Sequence, residues 1–466
     1  MSRIKNVHLI GIGGCGMSAI ARILFEMGYK VSGSDMKESS NTVRLKDYKI
    51  EIFYKHSDSN VRTADLVIYS SAITKDNIEI KEAESRSIPI VSRAEMLSWI
   101  MKQSQLSIGV AGTHGKTTTT SMISILYDKC GLNPTYLIGG ERNDVLDNAK
   151  IGDGKYVVAE ADESDGSFLI LDPKVAIITN IEADHLDHYG TIDNIMSAFI
   201  EYANKIPSDG FIVICSDLNN TRLLLDKINS DKKIIKYGFD EGSDIRATNL
   251  SFCGFSSVFT VEYNGTKLGE VTLNIPGKQN ISNCLAALAV GMQSGLEFTA
   301  CATALASFTG TRRRFQTIGE INNILVVDDY AHHPTEISAT LEAARLGWGS
   351  DRRVICVFQP HRYTRTMHLK DEFAGAFDLA DIAIITDVYS AGEAPISGIS
   401  GKSIVDCISV KPNLIIEYIP KKEKIADYLV SILKPKDILL TLGAGDIFTV
   451  GKEVLARLRE SDRQLT

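Results

Sequence analysis

Short apolar runs alternate with stretches of helical period along the whole chain. Runs at 7–10, 30–33 and 66–69 read as strands, with a helix over 17–27 behind the first. Runs at 106–110, 156–159 and 175–178 repeat the pattern, and an Ala-rich helix is predicted over 283–292. A third series falls at 324–327, 354–358, 382–385 and 438–440. Strands that are apolar throughout, with helices between them, predict largely parallel sheets covered on both faces. Between about 245 and 275 the residues alternate instead, around the turn Tyr263-Asn264-Gly265. That predicts a small antiparallel β insert.

A chain of 466 residues is too long for one core. The three series predict three α/β domains, at 1–104, 105–309 and 310–466. Composition then removes several functional classes. Lys and Arg number 50 against 58 Asp and Glu, and a net charge of −8 argues against a nucleic-acid partner. No run of about 18 apolar residues occurs, so no membrane span is expected. The first residues enter a strand without a signal-peptide core, which predicts a cytoplasmic protein. The eight cysteines are scattered without a CxxC pair, so they read as reduced, small buried residues.

The chemistry concentrates where strands end. After 106–110 comes Gly112-Thr113-His114-Gly115-Lys116-Thr117-Thr118, followed by a helical pattern starting near Thr118. A glycine turn at a helix N-terminus presents N–H groups and a positive dipole end to phosphate. Lys116 would reach the β- and γ-phosphates of ATP, and the Thr117 hydroxyl would hold Mg²⁺. The spacing is shorter than the usual G-x-x-x-x-G-K-[ST]. Glu160 ends the run 156–159, well placed to hold Mg²⁺ through oxygen, within an acidic stretch that reads otherwise as a solvated loop. His185, with Asp184 beside it, follows 175–178 and suits a second Mg²⁺, because oxygen ligands dominate there and the spacing does not fit zinc.

The first domain carries Gly11-x-Gly13-x-x-Gly16 between a strand and a helix, with Asp35 at the end of the second strand. This turn serves a dinucleotide or any nucleotide diphosphate. Ser70 and Ser71, also at a strand end, could add donors. Asn280 and Asn283 suit an adenine edge or a helix cap. Arg312-Arg313-Arg314, the stretch Asp328-Asp329-Tyr330-Ala331-His332-His333, and His361-Arg362-Tyr363-Thr364-Arg365 bring charge to strand ends of the third domain. Planar guanidinium groups match both phosphate and carboxylate.

Taken together these segments resemble the Mur ligases of bacterial cell-wall synthesis over essentially the whole chain. Gly112–Thr118 marks the wider superfamily. His8–Ser18, Asp328–Thr335 and Phe358–Arg365 narrow the likeness. The resemblance implies Rossmann-like first and third domains and a central P-loop ATPase-like domain. It implies ATP and Mg²⁺ as cofactors, UDP-N-acetylmuramate and L-alanine as substrates, and a monomer or weak homodimer. Gly11, Gly13, Gly14, Gly16, Met17, Asp35, Ser70 and Ser71 are then expected at the UDP part of the substrate. Gly112 to Thr118, Asn280, Asn283, Arg314, Asp329 and Tyr330 are expected at ATP. Thr117, Glu160 and His185 are the expected metal ligands, with Lys116, Glu160 and His185 catalytic. His332, His361, Arg362 and Arg365 are expected at the substrate in the third domain. Two departures stand out. Gln279 occupies a position where many relatives have His. No carbamylated lysine is assigned either, because the helix after His188 offers Phe199, Ile200 and Glu201, and Lys205 only later.

Overall fold

The computed structural model describes residues 4–409 and 411–465, with side chains described to residue 460. It contains three sheets, each built from one of the three series of apolar runs.

The first sheet comprises β1 (Asn6–Ile10), β2 (Lys30–Ser34), β3 (Glu51–Phe53), β4 (Leu66–Tyr69) and β5 (Ile90–Ser92), all parallel, in the order β3-β2-β1-β4-β5. The order reverses between β1 and β4. That reversal leaves a crevice at their carboxyl ends, and open parallel sheets bind ligands in such crevices. The turn Gly11–Gly14 and Ser70 lie there.

The central sheet has ten strands: β6 (Leu106–Ala111), β7 (Thr135–Arg142), β8 (Asp147–Lys150), β9 (Tyr156–Glu160), β10 (Val175–Ile178), β11 (Phe211–Cys215), β12 (Ile234–Gly238), β13 (Ile245–Cys253), β14 (Ser256–Tyr263) and β15 (Thr266–Leu273). Their order is β15-β14-β13-β12-β11-β10-β6-β9-β7-β8. β6 therefore sits between β9 and β10, and the turns after these three strands meet at one edge. Ile108, Val110 and all four residues of β10 are buried, as expected of strands covered on both faces. The predicted insert is real but not separate. β13 pairs in parallel with β12 through Tyr237↔Ile245, so the antiparallel meander extends the central sheet. Its last turn has φ +48 at Asn264 and +76 at Gly265, the left-handed pair that a two-residue hairpin needs.

The third sheet holds β16 (Gln316–Ile321), β17 (Ile324–Asp329), β18 (Val354–Phe358), β19 (Ile382–Ile385), β20 (Ile415–Tyr418) and β21 (Ile438–Leu442), in the order β16-β17-β21-β18-β19-β20. Only β16 is antiparallel. Among the described residues no helix is long and apolar enough to cross a membrane.

Candidate active site

The loop after β6 is shaped by two glycines. Gly112 has φ +132, and a Cβ there would come within 2.1 Å of the Thr179 hydroxyl. Gly115 has φ +84, and a Cβ would meet Asn283 Oδ1 at 2.6 Å. Gly115 stops the turn, so the helix Lys116–Lys129 begins two residues earlier than the sequence pattern predicts. Lys116 and Thr117 thus stand in its first turn, where helix N–H groups have no partner in the helix. Lys116 Nζ is 2.8 Å from Glu163 Oε1 and donates to the Gly112 carbonyl at 2.5 Å. Burial works against this ammonium, but Glu163 and Asp162 outweigh it and hold its pKa above the ordinary range.

Two carboxylates face the loop. The Thr117 hydroxyl donates to Glu160 Oε2 at 3.2 Å, and the Gly139 N–H donates to Glu160 Oε1. Burial lifts the Glu160 carboxyl above its usual range. Glu163 is 3% exposed, and burial pushes it up to about 7 despite Lys116. Its Oε2 is buried without a hydrogen-bond partner. Such an oxygen carries a desolvation cost until a cation or donor arrives. The glycine cradle, the Thr117–Glu160 oxygen pair and this orphaned oxygen fit an Mg²⁺-bound nucleotide.

His185 has φ +53 and follows Asp184, whose Oδ2 is 3.6 Å from its Nε2. Burial lowers its pKa, which favours the neutral imidazole a metal requires. Asp184 is gripped from the third domain. Arg365 donates to it from Nε at 3.1 Å and Nη2 at 3.2 Å, a fork in which both side chains are under 10% exposed. Arg365 overcomes the burial and keeps the Asp184 carboxyl well below the usual range. A cleft between the two domains is lined by Asp184, His185, Asp187, Arg362, Thr364 and Arg365. Arg362 enters it with φ +70 and its guanidinium 3.4 Å from Asp187. His361 stacks on Tyr389 at 5.7 Å, and burial lowers its pKa to about 4. His332 Nδ1 lies 2.9 Å from the Tyr330 carbonyl, and burial lowers its pKa to about 3, so the ring is neutral.

In the first domain Gly13 N–H donates to Asp35 Oδ2 at 2.9 Å, and a Cβ on Gly13 would be 2.7 Å from that oxygen. Asp35 therefore shapes the glycine turn itself. Gly11 packs beside Ser70, where a Cβ would be 3.1 Å from the Ser70 Cβ. Gly14 turns back on the Gly11 carbonyl, its N–H donating at 3.2 Å. Gly16 lies beside Arg93. Ser71 is exposed, but Met17 is 1% exposed in the core, so only its backbone can face a ligand. The N-terminus of the helix Cys15–Glu26 points toward the central site: the Cys15 thiol donates to the Gly139 carbonyl at 3.1 Å.

Several expected ATP contacts are differently engaged. The Asn280 amide donates to the Pro276 carbonyl at 2.6 Å. Asn283 Oδ1 accepts from Thr119 at 3.1 Å and packs on Gly115, so it shapes the loop. The His114 N–H is taken by Asn180, and its ring by Glu182 and Glu336, so this side chain does not turn inward to the cradle. Arg313 and Arg314 each lie 5.0 Å from the Tyr330 ring centroid. Asp329 accepts N–H bonds from Phe315 and Ala331, both at 2.8 Å, and burial raises it to about 6. It braces the segment carrying Arg314 and Tyr330. Lys205 bonds Leu169 O and lies 3.1 Å from Asp172, engaged away from His185. Gly139 and Arg93 were not legible as site residues, and Glu163 stood out only as one acid of the stretch around Glu160. The pair Gly139-Gly140, an interruption inside the run that forms β7, was the available signal for the first. Arg93 lies 3.7 Å from Asp162 only because two domains meet, which no local pattern announces.

Three family models tile the chain: "Mur ligase family, catalytic domain" over residues 6–105, "Mur ligase middle domain" over 110–291, and "Mur ligase, glutamate ligase domain" over 313–445. The chain belongs to the Mur ligase family. Within it, the chain is 48% identical over 459 residues to a UDP-N-acetylmuramate–L-alanine ligase of Geotalea daltonii, covering 98% of this chain and 99% of that one. The solved UDP-N-acetylmuramate-alanine ligase of Thermotoga maritima superposes with a TM-score of 0.82 at 31% identity, covering 98% of this chain and all of that one. A murein peptide ligase from Psychrobacter arcticus superposes less well, at 0.70 and 27% identity, with 97% and 98% covered.

Proposed function

We propose that the protein joins L-alanine to the carboxylate of UDP-N-acetylmuramate while converting ATP to ADP and phosphate. This would be the first amino-acid addition to the peptidoglycan precursor. The observation that carries the chemistry is a convergence: the phosphate loop, Glu160 and the Asp184–His185 turn meet the glycine turn of one neighbour and Arg365 of the other. Whole-length likeness to ligases of that name supports the choice of substrates.

A carboxylate is a poor electrophile, and phosphorylation gives it a leaving group. Thr117, Glu160 and His185 would hold Mg²⁺, which would supply positive charge to the phosphoryl oxygens. Lys116 exchanges Glu163 for the β- and γ-phosphates of ATP. The turn Gly11–Gly16, braced by Asp35 and joined by Ser70, holds the diphosphate of the UDP-sugar. The Cys15–Gly139 contact brings that substrate's carboxylate toward Glu160. Attack of that carboxylate oxygen on the γ-phosphorus breaks the bridging P–O bond, releases ADP and forms an acyl phosphate. Arg362 and Arg365, with neutral His332 and His361, hold the alanine carboxylate so that its neutral amine faces the acyl carbon. Phosphate leaves as the amide forms. Closing the third domain excludes water, which would otherwise hydrolyse the acyl phosphate.

The test is phosphate release from ATP with UDP-N-acetylmuramate, with and without L-alanine, followed by mass spectrometry. Release that needs both, with a product heavier by one alanyl residue, is expected. Release that needs a tripeptide in place of alanine would refute the acceptor assignment.

A further inference from the structure

Four side chains from two domains meet behind the phosphate loop. His114 belongs to that loop, Glu182 follows β10, and His333 and Glu336 cap the helix Pro334–Trp348 of the third domain. His114 Nδ1 is 3.2 Å from Glu336 Oε1, and its Nε2 is 3.4 Å from Glu182 Oε2. The His333 ring lies 4.7 Å away, centroid to centroid. The Thr335 hydroxyl donates to Glu182 Oε2 at 2.6 Å, a direct bond between the domains. Glu336 Oε2 accepts the His332 N–H at 3.0 Å, and Arg314 Nη1 stands 3.6 Å from Oε1.

From the other side the backbone of His114 is clamped. Its N–H donates to Asn180 at 2.7 Å, its carbonyl accepts from Thr179 at 2.6 Å, and Glu182 N–H donates to the Thr113 hydroxyl at 2.9 Å. A ring with a carboxylate oxygen at each nitrogen has to donate from both. Burial lowers the His114 pKa, but Glu336 and Glu182 outweigh that and raise it to about 9. Imidazolium and Arg314 then balance the two carboxylates, and burial keeps His333 neutral. Among the described residues, His114, Glu182 and His333 form the only group of this kind close enough to share a cation. The proton on His114 already does that work, and a metal would have to displace it.

One continuous path therefore runs from the phosphate loop through His114 and Glu336 to His332 in the alanine pocket. We propose that Glu336 is a positioning residue that couples docking of the third domain to the phosphate loop, so that bound nucleotide tightens binding of L-alanine. The proposal rests on the ligase reading above. Such coupling is reciprocal, so alanine must tighten nucleotide by the same factor, and couplings of this kind run from about 5- to 150-fold. A purely local structural role would lower stability without linking the two ligands.

The test compares the full-length wild type with Glu336→Gln, Glu336→Asp and Thr335→Val. In steady state Glu336→Gln is expected to raise the KM for alanine about 10-fold or more. Its Kd for the non-hydrolysable analogue AMP-PNP with Mg²⁺, measured without alanine, should change by less than about threefold. Glu336→Asp should recover part of the loss, and Thr335→Val should show a smaller one. In small-angle X-ray scattering, AMP-PNP with Mg²⁺ should compact the wild type more than Glu336→Gln. Equal compaction, or an unchanged KM for alanine, would overturn the coupling. So would one equivalent of tightly bound Zn²⁺ that requires His114 and His333 and raises alanine affinity. A wild type that ligates no alanine would instead refute the ligase reading and with it the alanine half of the proposal, while the docking role of Glu336 would still be decided by the difference in compaction.

Discussion

Replacing Gly112 by alanine tests whether the cradle depends on that backbone shape. At φ +132 an L-residue pays about 1–2 kcal/mol of steric strain. The new Cβ would also stand 2.1 Å from the Thr179 hydroxyl and 3.0 Å from the backbone N and O of Asn180. The hydroxyl cannot step aside freely, because it donates to the His114 carbonyl at 2.6 Å and lies 3.3 Å from that of Ala111. Losing its donated bond to His114 costs about 1 kcal/mol. The strain, up to about 3 kcal/mol in all, is relieved when the loop leaves its cradle shape. Nucleotide must then restore that shape, which corresponds to a loss of affinity of up to about 150-fold. Calorimetric titration of AMP-PNP with Mg²⁺ into wild type, Gly112→Ala, Thr179→Ala and the double variant reads this directly. Removing the Thr179 oxygen takes away the worst overlap but not the φ strain, so the double variant should bind about 5- to 10-fold better than Gly112→Ala. Gly112→Ala binding within about threefold of wild type would refute the argument, as would a double variant no better than Gly112→Ala.

Lys116→Ala should abolish ligation, by about 10³-fold or more, because the loop's other cation, the His114 imidazolium, is turned to Glu182 and Glu336 and cannot neutralise the transferring phosphoryl group. The same variant leaves Glu163 buried without its cation, so it should melt lower, and adding Glu163→Gln should restore the melting temperature without activity. His185→Ala and Glu160→Gln should each raise the Mg²⁺ concentration needed for half-maximal rate; an unchanged metal titration would remove them as ligands. In the first domain Glu79 is fully buried among Ser34, His56 and Asn60, and these bonds together with His8 outweigh burial and lower its pKa from 4.5 to about 2. Its contribution is therefore complete above pH 4.5 and lost as pH falls toward 2. Urea midpoints between pH 6 and 3 should fall in the wild type and flatten in Glu79→Gln.

Much of this was legible because it is local. Gly112, Gly115 and Lys116 announce a phosphate loop by order and spacing, and Gly11, Gly13 and Asp35 announce a diphosphate turn. In both cases a backbone conformation open only to glycine is encoded within a few residues. Buried parallel strands are visible because their apolar runs are unbroken. The meander was legible as hairpins, but its attachment to β12 was not, since Tyr237↔Ile245 pairing depends on how the central sheet grows. His114 shows the limit within a motif: its membership of the loop was plain, while its ring direction follows from Glu336, more than two hundred residues away.

The amino-acid sequence by itself determined the α/β class, the three series of strands, and the glycine turns proposed to receive phosphate. Those depend on periodicity and on φ, which act over a few residues. Only the tertiary structure decided what faces those turns: Glu163 on Lys116, Gly139 on Glu160, Arg365 on Asp184 and Glu336 on His114. Each of these pairs joins segments distant along the chain, and all but Gly139–Glu160 lie where burial removes most of the water. The strength and sign of such a contact follow from desolvation and from the partner's charge, and neither is written in the residues next to it.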